Sequence, residues 1–237
     1  IVTGATGFLG GALTRRLRAL GIDVLALGRD RAKLGALDVL GVRTVSLDLS
    51  TSATLPNIEA DALVHCAALS SPWGSRAAFD RANVVGTQAA LMLARRSGVR
   101  RFVHISTPSV YFRFQDQVGV REDAPLPPPV NAYAATKREA EDLALAAEDL
   151  DPIVLRPRGL YGPGDTTLLP RLIAAARKRP LPLMNGGRAA TDLTFVGDVV
   201  DAARAAVMTK PQPAQRVFNV SGGEALKVVD VAERAGE

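Results

Sequence analysis

The chain has 237 residues, of which 47% are hydrophobic and 22% charged, and this ordinary globular composition excludes a disordered or fibrous chain. Its formal net charge is +5, but basic and acidic residues are interspersed, which argues against nucleic acid as a partner. No apolar run reaches the roughly 18 residues of a membrane span, and the one cysteine, Cys66, excludes an intramolecular disulfide, so we expect a cytoplasmic protein without membrane insertion.

Short apolar runs alternate with helical patterns over the first two thirds of the chain. The runs lack the polar alternation of a half-exposed strand, which is typical of parallel strands buried on both faces. This order predicts an α/β fold with a Rossmann-type doubly wound parallel sheet. The predicted strands are 1–3, 22–27, 42–47, 62–65, 101–106 and 153–156, and the predicted helices between them are 8–20, 76–97 and 132–148.

Beyond residue 156 the sequence becomes rich in proline and glycine, which predicts a smaller C-terminal substrate lobe. Here we predict helices over 168–178 and 198–208 and strands over 193–196 and 216–220, with the last strand returning to the main sheet. We therefore expect a Rossmann domain of residues 1–156 plus about 193–220, and a substrate-binding lobe of residues 157–192 plus 221–237. Because the chain ends within a helical pattern, we expect this lobe to be truncated at its C-terminus.

The segment TGATGFLG at 3–10 follows the first predicted strand and opens the first predicted helix. In this context the first glycine permits a tight turn, the second lets the backbone approach a pyrophosphate, and the third allows the helix to pack closely on the strand. The helix N-terminus then offers free N–H groups to phosphates. The segment predicts a dinucleotide site, with the contacting residues Gly4, Thr6, Gly7, Phe8, Leu9 and Gly10.

The residues after the second predicted strand bear on the choice between NADP and NAD. NAD-binding proteins of this kind usually carry a carboxylate there, which binds the ribose hydroxyls, but this chain has Gly28. The next residue, Arg29, can pair its guanidinium with a 2′-phosphate, which favours NADP. In the alternative interpretation Arg29 faces solvent and Asp30 binds the ribose, and the cofactor is NAD.

Tyr133 and Lys137 lie four residues apart in the predicted helix 132–148, and hence on one face of it. A positive charge near a phenol favours the phenolate, so a tyrosine in this setting can exchange a proton with a substrate oxygen. The spacing alone is common on solvated helices. The hydroxyl-rich strand end STPS at 106–109 supplies a context in which the pair points to catalysis.

These motifs and several others occur together in a fixed order. The combination resembles the extended short-chain dehydrogenases/reductases, within the NAD-dependent epimerase/dehydratase superfamily, and the resemblance covers nearly the whole chain. The further motifs are DL at 48–49, HCAA at 65–68, NVVGT at 83–87, RP at 156–157 and YGPG at 161–164.

The resemblance implies roles for individual residues. Thr107 matches the residue that orients the substrate oxygen, Tyr133 the proton-transferring acid/base, and Lys137 its electrostatic partner, which also holds the cofactor ribose. Asn83 either supports the cofactor side of the sheet or caps the start of a helix. The other implied cofactor contacts are Asp48 and Leu49 at the adenine, Ala67 and Ala68 along the dinucleotide, and Ser106 and Pro157.

Small differences from the motifs of particular branches of this family narrow the range of reactions that we expect. Pro108 and Ser109 follow Thr107 where sugar 4,6-dehydratases carry an acidic pair, and Thr191 lies near where nucleotide-sugar epimerases commonly carry an arginine. The segments 67–74 and 106–110 instead resemble the branch of 3β-hydroxysteroid dehydrogenase-like enzymes and 2-alkyl-3-oxoalkanoate reductases. That branch implies an apolar small-molecule substrate, for which the candidate contacts are Trp73, Thr107 and Arg158, with Phe79, Phe112 and Phe114 either lining the pocket or packing in the core or in loops.

We therefore expect an NADP-preferring oxidoreductase that transfers hydride between the nicotinamide and a secondary alcohol or ketone, such as a 3-hydroxy or 3-keto acid or a steroid-like compound. A nucleotide-sugar epimerase and a catalytically silent NADP-binding regulator are the alternatives. His65 and His104 have apolar neighbours and lack further ligands at metal-like spacing, so we predict no metal. A homodimer is an assembly that the resemblance allows.

Overall fold

The computed structural model of the chain describes residues 1–51, 54–71, 73–176, 190–209, 215–227, 229–231 and 234. The end of the predicted helix 168–178 and a large part of the predicted substrate lobe therefore lie outside the described residues. The strands are β1 (Val2–Thr3), β2 (Leu25–Gly28), β3 (Arg43–Ser46), β4 (Ala62–His65), β5 (Arg101–Ile105), β6 (Ile153–Pro157), β7 (Leu160–Tyr161), β8 (Ala190–Asp192), β9 (Thr194–Phe195), β10 (Val217–Val220) and β11 (Ala225–Lys227).

Among the described residues, seven strands form a parallel sheet in the order β10–β6–β5–β4–β1–β2–β3. The strand order reverses between β1 and β4, as in a doubly wound sheet. This arrangement confirms the predicted Rossmann-type fold. The strand predicted at 216–220 does join the main sheet, as β10 beside β6. The exact division into two domains stays a prediction.

Helices cover both faces of the sheet. They are α1 (Phe8–Ala19), α2 (Arg31–Asp38), α3 (Arg76–Phe79), α4 (Gly86–Arg96), α5 (Ala132–Ala146), α6 (Leu169–Ala176) and α7 (Val196–Met208). Neighbouring strand residues point to opposite faces, so Val103 packs in the cluster with Leu13 of α1 and Ala203 of α7, whereas Phe102 packs with Leu93 of α4 and Ala144 of α5. This two-sided burial explains the continuous apolar runs.

Some predicted elements were wrong in detail. The helix predicted at 76–97 is interrupted by a π-helical turn at Asp80–Val85, which separates α3 from α4. One extra residue per turn shifts the apolar pattern too little for the sequence to reveal it. The strand predicted at 193–196 is shorter, because Val196 already begins α7. Helix α2 was not predicted.

Two small sheets lie apart from the main one. β7 pairs with β9 in parallel, and β8 pairs with β11 in antiparallel fashion. None of the helices in the described residues has the length and apolar character needed to cross a membrane.

Candidate active site

A groove of about 790 Å³ lies at the carboxyl ends of β1, β2, β3 and β4, where the strand order reverses. Crevices at such reversal points are the usual ligand sites of doubly wound sheets. The groove is therefore where the fold itself predicts a dinucleotide. Its lining includes eight of the predicted cofactor contacts, which are Gly4, Thr6, Gly7, Arg29, Asp48, Leu49, Ala67 and Ala68.

The glycine-rich turn brings backbone close to backbone. Gly4 has φ +65°, and a Cβ there would lie 2.7 Å from the backbone nitrogen of Ala67. A Cβ on Gly10 would lie 2.3 Å from the carbonyl oxygen of Gly4, so only glycine lets α1 start this close to the turn. Gly7 precedes α1, and no side chain among the described residues caps the helix. Its first N–H groups stay available for a phosphate.

Arg29 lies at the rim of the groove after β2. Its side chain is 74% exposed, and its Nη1 is 3.6 Å from Oδ2 of Asp48. The other oxygen of Asp48 accepts hydrogen bonds from the backbone and the hydroxyl of Ser50, at 2.9 and 2.6 Å. These bonds and the nearby guanidinium lower the pKa of Asp48. Arg29 also lines the groove.

The side chain of Asp30 binds a backbone N–H group at the start of α2. Its Oδ1 accepts a hydrogen bond of 3.1 Å from the backbone N–H of Lys33 and so caps the start of α2. Its other oxygen lies 3.8 Å from Nζ of Lys33. Both residues line the groove, and the cap gives Asp30 a structural role that does not depend on a ribose.

Lys137 is buried where α5 packs on the end of β5. Its Nζ donates a hydrogen bond of 2.7 Å to the carbonyl oxygen of Ile105 and lies 3.4 Å from Nε2 of His104. Burial lowers the pKa of Lys137 to about 8, and the negative charge of Glu141 opposes this shift. The ammonium is therefore held at the carboxyl edge of the sheet.

Thr107 follows β5 directly and is buried. Its Oγ1 accepts a hydrogen bond of 3.2 Å from the backbone N–H of Ser109 and lies 3.1 Å from that residue's hydroxyl. It thus caps the 3₁₀ turn Pro108–Tyr111, which packs against α5. The capped turn fixes the direction of the Thr107 side chain at the strand end.

Tyr133 lies in the first turn of α5, after the cap that Asn131 provides by accepting a 2.8 Å hydrogen bond from the N–H of Ala134. Tyr133 is half-buried, and its ring packs against Phe79 with 6.2 Å between centroids. Within the described part of the chain its hydroxyl has no hydrogen-bond partner. This phenol is therefore open to a ligand, although neither Tyr133 nor Thr107 lines the 790 Å³ groove.

Asn83 connects the groove to α5. Its Oδ1 accepts a hydrogen bond of 2.7 Å from the N–H of Leu69, beside the groove, and its Nδ2 donates one of 3.1 Å to Oγ1 of Thr136, next to Lys137. It lies inside the π-helical turn, so the interpretation as a helix-start cap was wrong. Its contacts agree with support of the cofactor side of the sheet.

The remaining predicted cofactor contacts, Ser106, Pro157, Phe8 and Leu9, are not among the residues that line the groove. Ser106 donates its hydroxyl hydrogen to Glu141, and Pro157 is buried in β6 beside Val220. Phe8 and Leu9 begin α1 and are half-buried. Their contact with a cofactor stays a prediction.

The predicted substrate contacts differ in their positions. Trp73 is 83% exposed, and Arg158 is exposed, with Nη2 3.4 Å from Oγ1 of Thr191. Phe112 and Phe114 pack edge to face on the surface, 5.3 Å apart. Phe79 alone of these aromatic residues is buried next to Tyr133.

The two histidines are buried in neighbouring strands, with ring centroids 5.5 Å apart. His65 lies between the hydroxyls of Thr3 and Thr87, at 2.8 and 3.1 Å, and burial lowers its pKa to about 3. It therefore stays neutral. Among the residues that the structure describes, no group of three or more His, Cys, Asp or Glu side chains has a metal-binding arrangement.

Sequence reasoning missed a buried ion pair. Arg156 of β6 and Glu141 of α5 are joined by two hydrogen bonds, one of them 3.0 Å long from Nε to Oε2, and both side chains are at most 4% exposed. Glu141 follows Lys137 by four residues, and Arg156 belongs to the RP motif. The sequence motifs thus lie next to Glu141 and include Arg156, but they do not indicate that these two side chains contact each other.

The parallel sheet, the glycine turn and the groove define a dinucleotide-dependent enzyme fold, and the chain belongs to the NAD dependent epimerase/dehydratase family, whose sequence profile matches residues 1–221. This confirms the resemblance to extended short-chain dehydrogenases/reductases and an NAD(P)-dependent enzyme.

Particular relatives include reductases. The chain is 36% identical to the 2-alkyl-3-oxoalkanoate reductase of Stenotrophomonas maltophilia, over 99% of this chain and 73% of that protein. It is 38% identical to the 4-hydroxy-2-methyl-3-oxo-4-farnesyl-3,4-dihydroquinoline-1-oxide ketoreductase of Stigmatella aurantiaca, over 84% of this chain and 61% of that protein. Among solved structures, MoeE5 in complex with UDP-glucose and NAD matches with a TM-score of 0.81 and 33% identity, over 99% of this chain and 79% of that one.

Proposed function

We propose that the chain is an NADP-preferring ketoreductase, which transfers hydride between the nicotinamide and an apolar ketone or secondary alcohol. The observation that carries this proposal is the buried ammonium of Lys137, one helical turn after Tyr133, whose hydroxyl has no hydrogen-bond partner within the described residues. A nicotinamide dinucleotide fits the chain, because side chains at Gly4 and Gly10 would block the turn that shapes the groove.

Arg29 supports a preference for NADP. Its exposed guanidinium lies at the groove, with its Nη1 3.6 Å from a carboxylate oxygen of Asp48. The rival ribose ligand, Asp30, caps α2 instead. Lys33 adds a second cation to the same wall, so a 2′-phosphate would meet positive charge rather than a free carboxylate.

Thr107, Tyr133 and Lys137 have different roles in the proposed reaction. The bound nicotinamide would supply or accept the hydride. Thr107 holds the substrate oxygen, and Tyr133 donates its proton to that oxygen as a ketone is reduced. We expect Lys137 to stabilise the phenolate that remains, because its buried ammonium follows Tyr133 by one turn of α5 and is poorly screened by water.

The names of the reductase relatives support a proposal for the substrate class. Both of those described above are named as reductases of carbonyl groups next to alkyl-substituted carbons. We therefore propose a 2-alkyl-3-keto acid or a ketone of similar apolar character. Phe79, buried beside Tyr133, supplies an apolar surface at the reacting end.

The second candidate function is nucleotide-sugar epimerisation. The similarity to MoeE5 favours it, because that protein was solved with UDP-glucose and NAD. An epimerase would bind a UDP-sugar and show no net change of cofactor absorbance.

Replacement of Tyr133 by Phe tests the proposal. We expect turnover of a 2-alkyl-3-keto acid with NADPH to fall about 100-fold or more, because the general acid is lost. The dissociation constant for NADPH, measured by fluorescence titration, should change little and serves as the internal control. Unchanged turnover in Tyr133→Phe would remove the phenol from the mechanism.

A further inference from the structure

A buried polar network lies beneath the proposed reacting groups, at the carboxyl ends of β5 and β6. Its centre is the carboxylate of Glu141, which accepts a hydrogen bond of 2.5 Å from Oγ of Ser106 and one of 3.0 Å from Nε of Arg156. Arg156 donates a further bond to the other oxygen of Glu141. One carboxylate of α5 thus fastens the ends of two neighbouring strands.

The network continues to the 3₁₀ turn that Thr107 begins. Arg156 donates to the hydroxyl of Tyr111, the last residue of that turn, and its guanidinium lies over the Tyr111 ring, 4.6 Å from the centroid. Tyr111 in turn donates a hydrogen bond of 3.1 Å to Oδ1 of Asn219 in β10. Thr107 is therefore held from both sides, through Ser106 before it and Tyr111 after it.

A buried ion pair adds little to stability by itself, because removing two charges from water costs about as much as their attraction returns. In proteins, replacement of a buried ion pair by apolar side chains of similar volume is often neutral or stabilising. Such a pair is better explained by the geometry it imposes. Here it sets the strand end that carries Thr107 against the helix that carries Lys137.

We propose that Glu141 is a positioning residue of the reaction, which holds the strand end that carries Thr107 against the helix that carries Lys137. This inference rests on the proposed function. Glu141 acts through Ser106, Arg156 and Lys137, and it needs no contact with the substrate.

The charges around Lys137 give the proposal a specific signature. His104 of β5 lies 3.4 Å from Nζ, and His65 of β4 and Cys66 are close enough to interact with its charge. Glu141 lies on the same helix and is paired with Arg156 of β6. Burial lowers the pKa of Lys137, and Glu141 is the strongest of the groups that raise it. Neutralising Glu141 should therefore lower the pKa of Lys137 further.

The test compares Glu141→Gln with Glu139→Gln, the same change on the exposed side of α5. In Glu141→Gln we expect kcat for ketone reduction to fall about 10- to 100-fold, because small misplacements of reacting groups cost that much, with KM for NADPH within about 2-fold. The loss of activity at alkaline pH should begin at a lower pH. Glu139→Gln should match the wild type in both respects.

Wild-type kcat and an unmoved pH profile in folded Glu141→Gln would overturn the inference. If that variant does not fold, Tyr111→Phe decides, because it removes one hydroxyl of the network and keeps the charge of Glu141. A reduced kcat with an unmoved pH profile supports positioning, and an unchanged kcat contradicts it.

Hydrogen exchange separates this inference from the proposed function. If the wild-type protein reduces no ketone, the proposed function fails, but the exchange of the amides at 107–111 can still be compared. Faster exchange in Glu141→Gln than in Glu139→Gln supports the positioning role, and equal exchange overturns it.

Discussion

Lys137 places a buried charge in the proposed site. Its ammonium is buried beside two neutral histidines, donates a hydrogen bond to the carbonyl of Ile105 and lies 3.4 Å from Nε2 of His104. Such a residue is unfavourable for folding and favourable for catalysis, because a charge that water does not screen acts strongly on a nearby phenol.

Replacement of Lys137 by Met should therefore stabilise the protein at pH 7 while abolishing turnover. The pKa of Lys137 is about 8 in the folded chain against 10.5 for a free side chain, which corresponds to about 3 kcal/mol of unfavourable burial. This cost is complete below pH 8 and disappears as the pH rises to 10.5, because the unfolded chain then also loses the proton. Thermal unfolding of both proteins across this range measures it. A Lys137→Met variant that is less stable than the wild type at pH 7 would contradict this description.

Replacement of Arg29 by Ala should weaken NADPH binding about 10-fold and spare NADH, because one charge-assisted hydrogen bond to a 2′-phosphate is lost. Arg31→Ala is the matched control, since Arg31 is exposed in the same region but does not line the groove. Titration of each variant with both cofactors gives the ratio of the dissociation constants for NADPH and NADH. Equal weakening for NADPH and NADH would remove the 2′-phosphate argument.

At the scale of elements, the cofactor turn depends on how closely α1 approaches β1. Gly10 is the residue that permits this, because its α-carbon faces the Gly4 carbonyl where a side chain would lie. The same residue type in α2, Gly35, has open space around it. The two glycines therefore predict opposite results for one substitution.

Gly10→Ala should lower the free energy of unfolding by about 1–3 kcal/mol, as an overpacked contact does, and weaken NADPH binding. Gly35→Ala should raise it by about 0.5–1 kcal/mol, because alanine loses less conformational freedom in a helix. Urea unfolding of the two variants provides the comparison. An unchanged free energy of unfolding in Gly10→Ala would contradict the close contact between a Cβ at position 10 and the carbonyl of Gly4.

The elements also show what sequence can and cannot predict. Strands buried on both faces leave a clear apolar signature, so the sheet was predicted, and motifs at strand ends located the groove. The π-helical turn around Asn83 leaves no such signature, since it depends on contacts with Leu69 and Thr136. The Glu141–Arg156 pair was missed for a similar reason, because nothing local in the sequence joins a helix residue to one in the following strand.

At the scale of the whole molecule, the fold gathers two regions at one edge of a sheet. The groove beside β1, β2, β3 and β4 is suited to a dinucleotide, and the ends of β5 and α5 carry Thr107, Tyr133 and Lys137. Asn83 bridges the two regions. This fold is shared by a 2-alkyl-3-oxoalkanoate reductase and by MoeE5, which was solved with UDP-glucose and NAD, so residues at the site rather than the fold select the substrate.

The most direct measurement is cofactor absorbance while the purified protein is incubated with NADPH and, in parallel, a 2-alkyl-3-keto acid or UDP-glucose. We expect tight binding of NADPH and its oxidation by the keto acid, with no effect of UDP-glucose on the absorbance and no binding of that sugar nucleotide. Binding of UDP-glucose together with an unreactive keto acid would contradict the proposed ketoreductase and favour epimerisation.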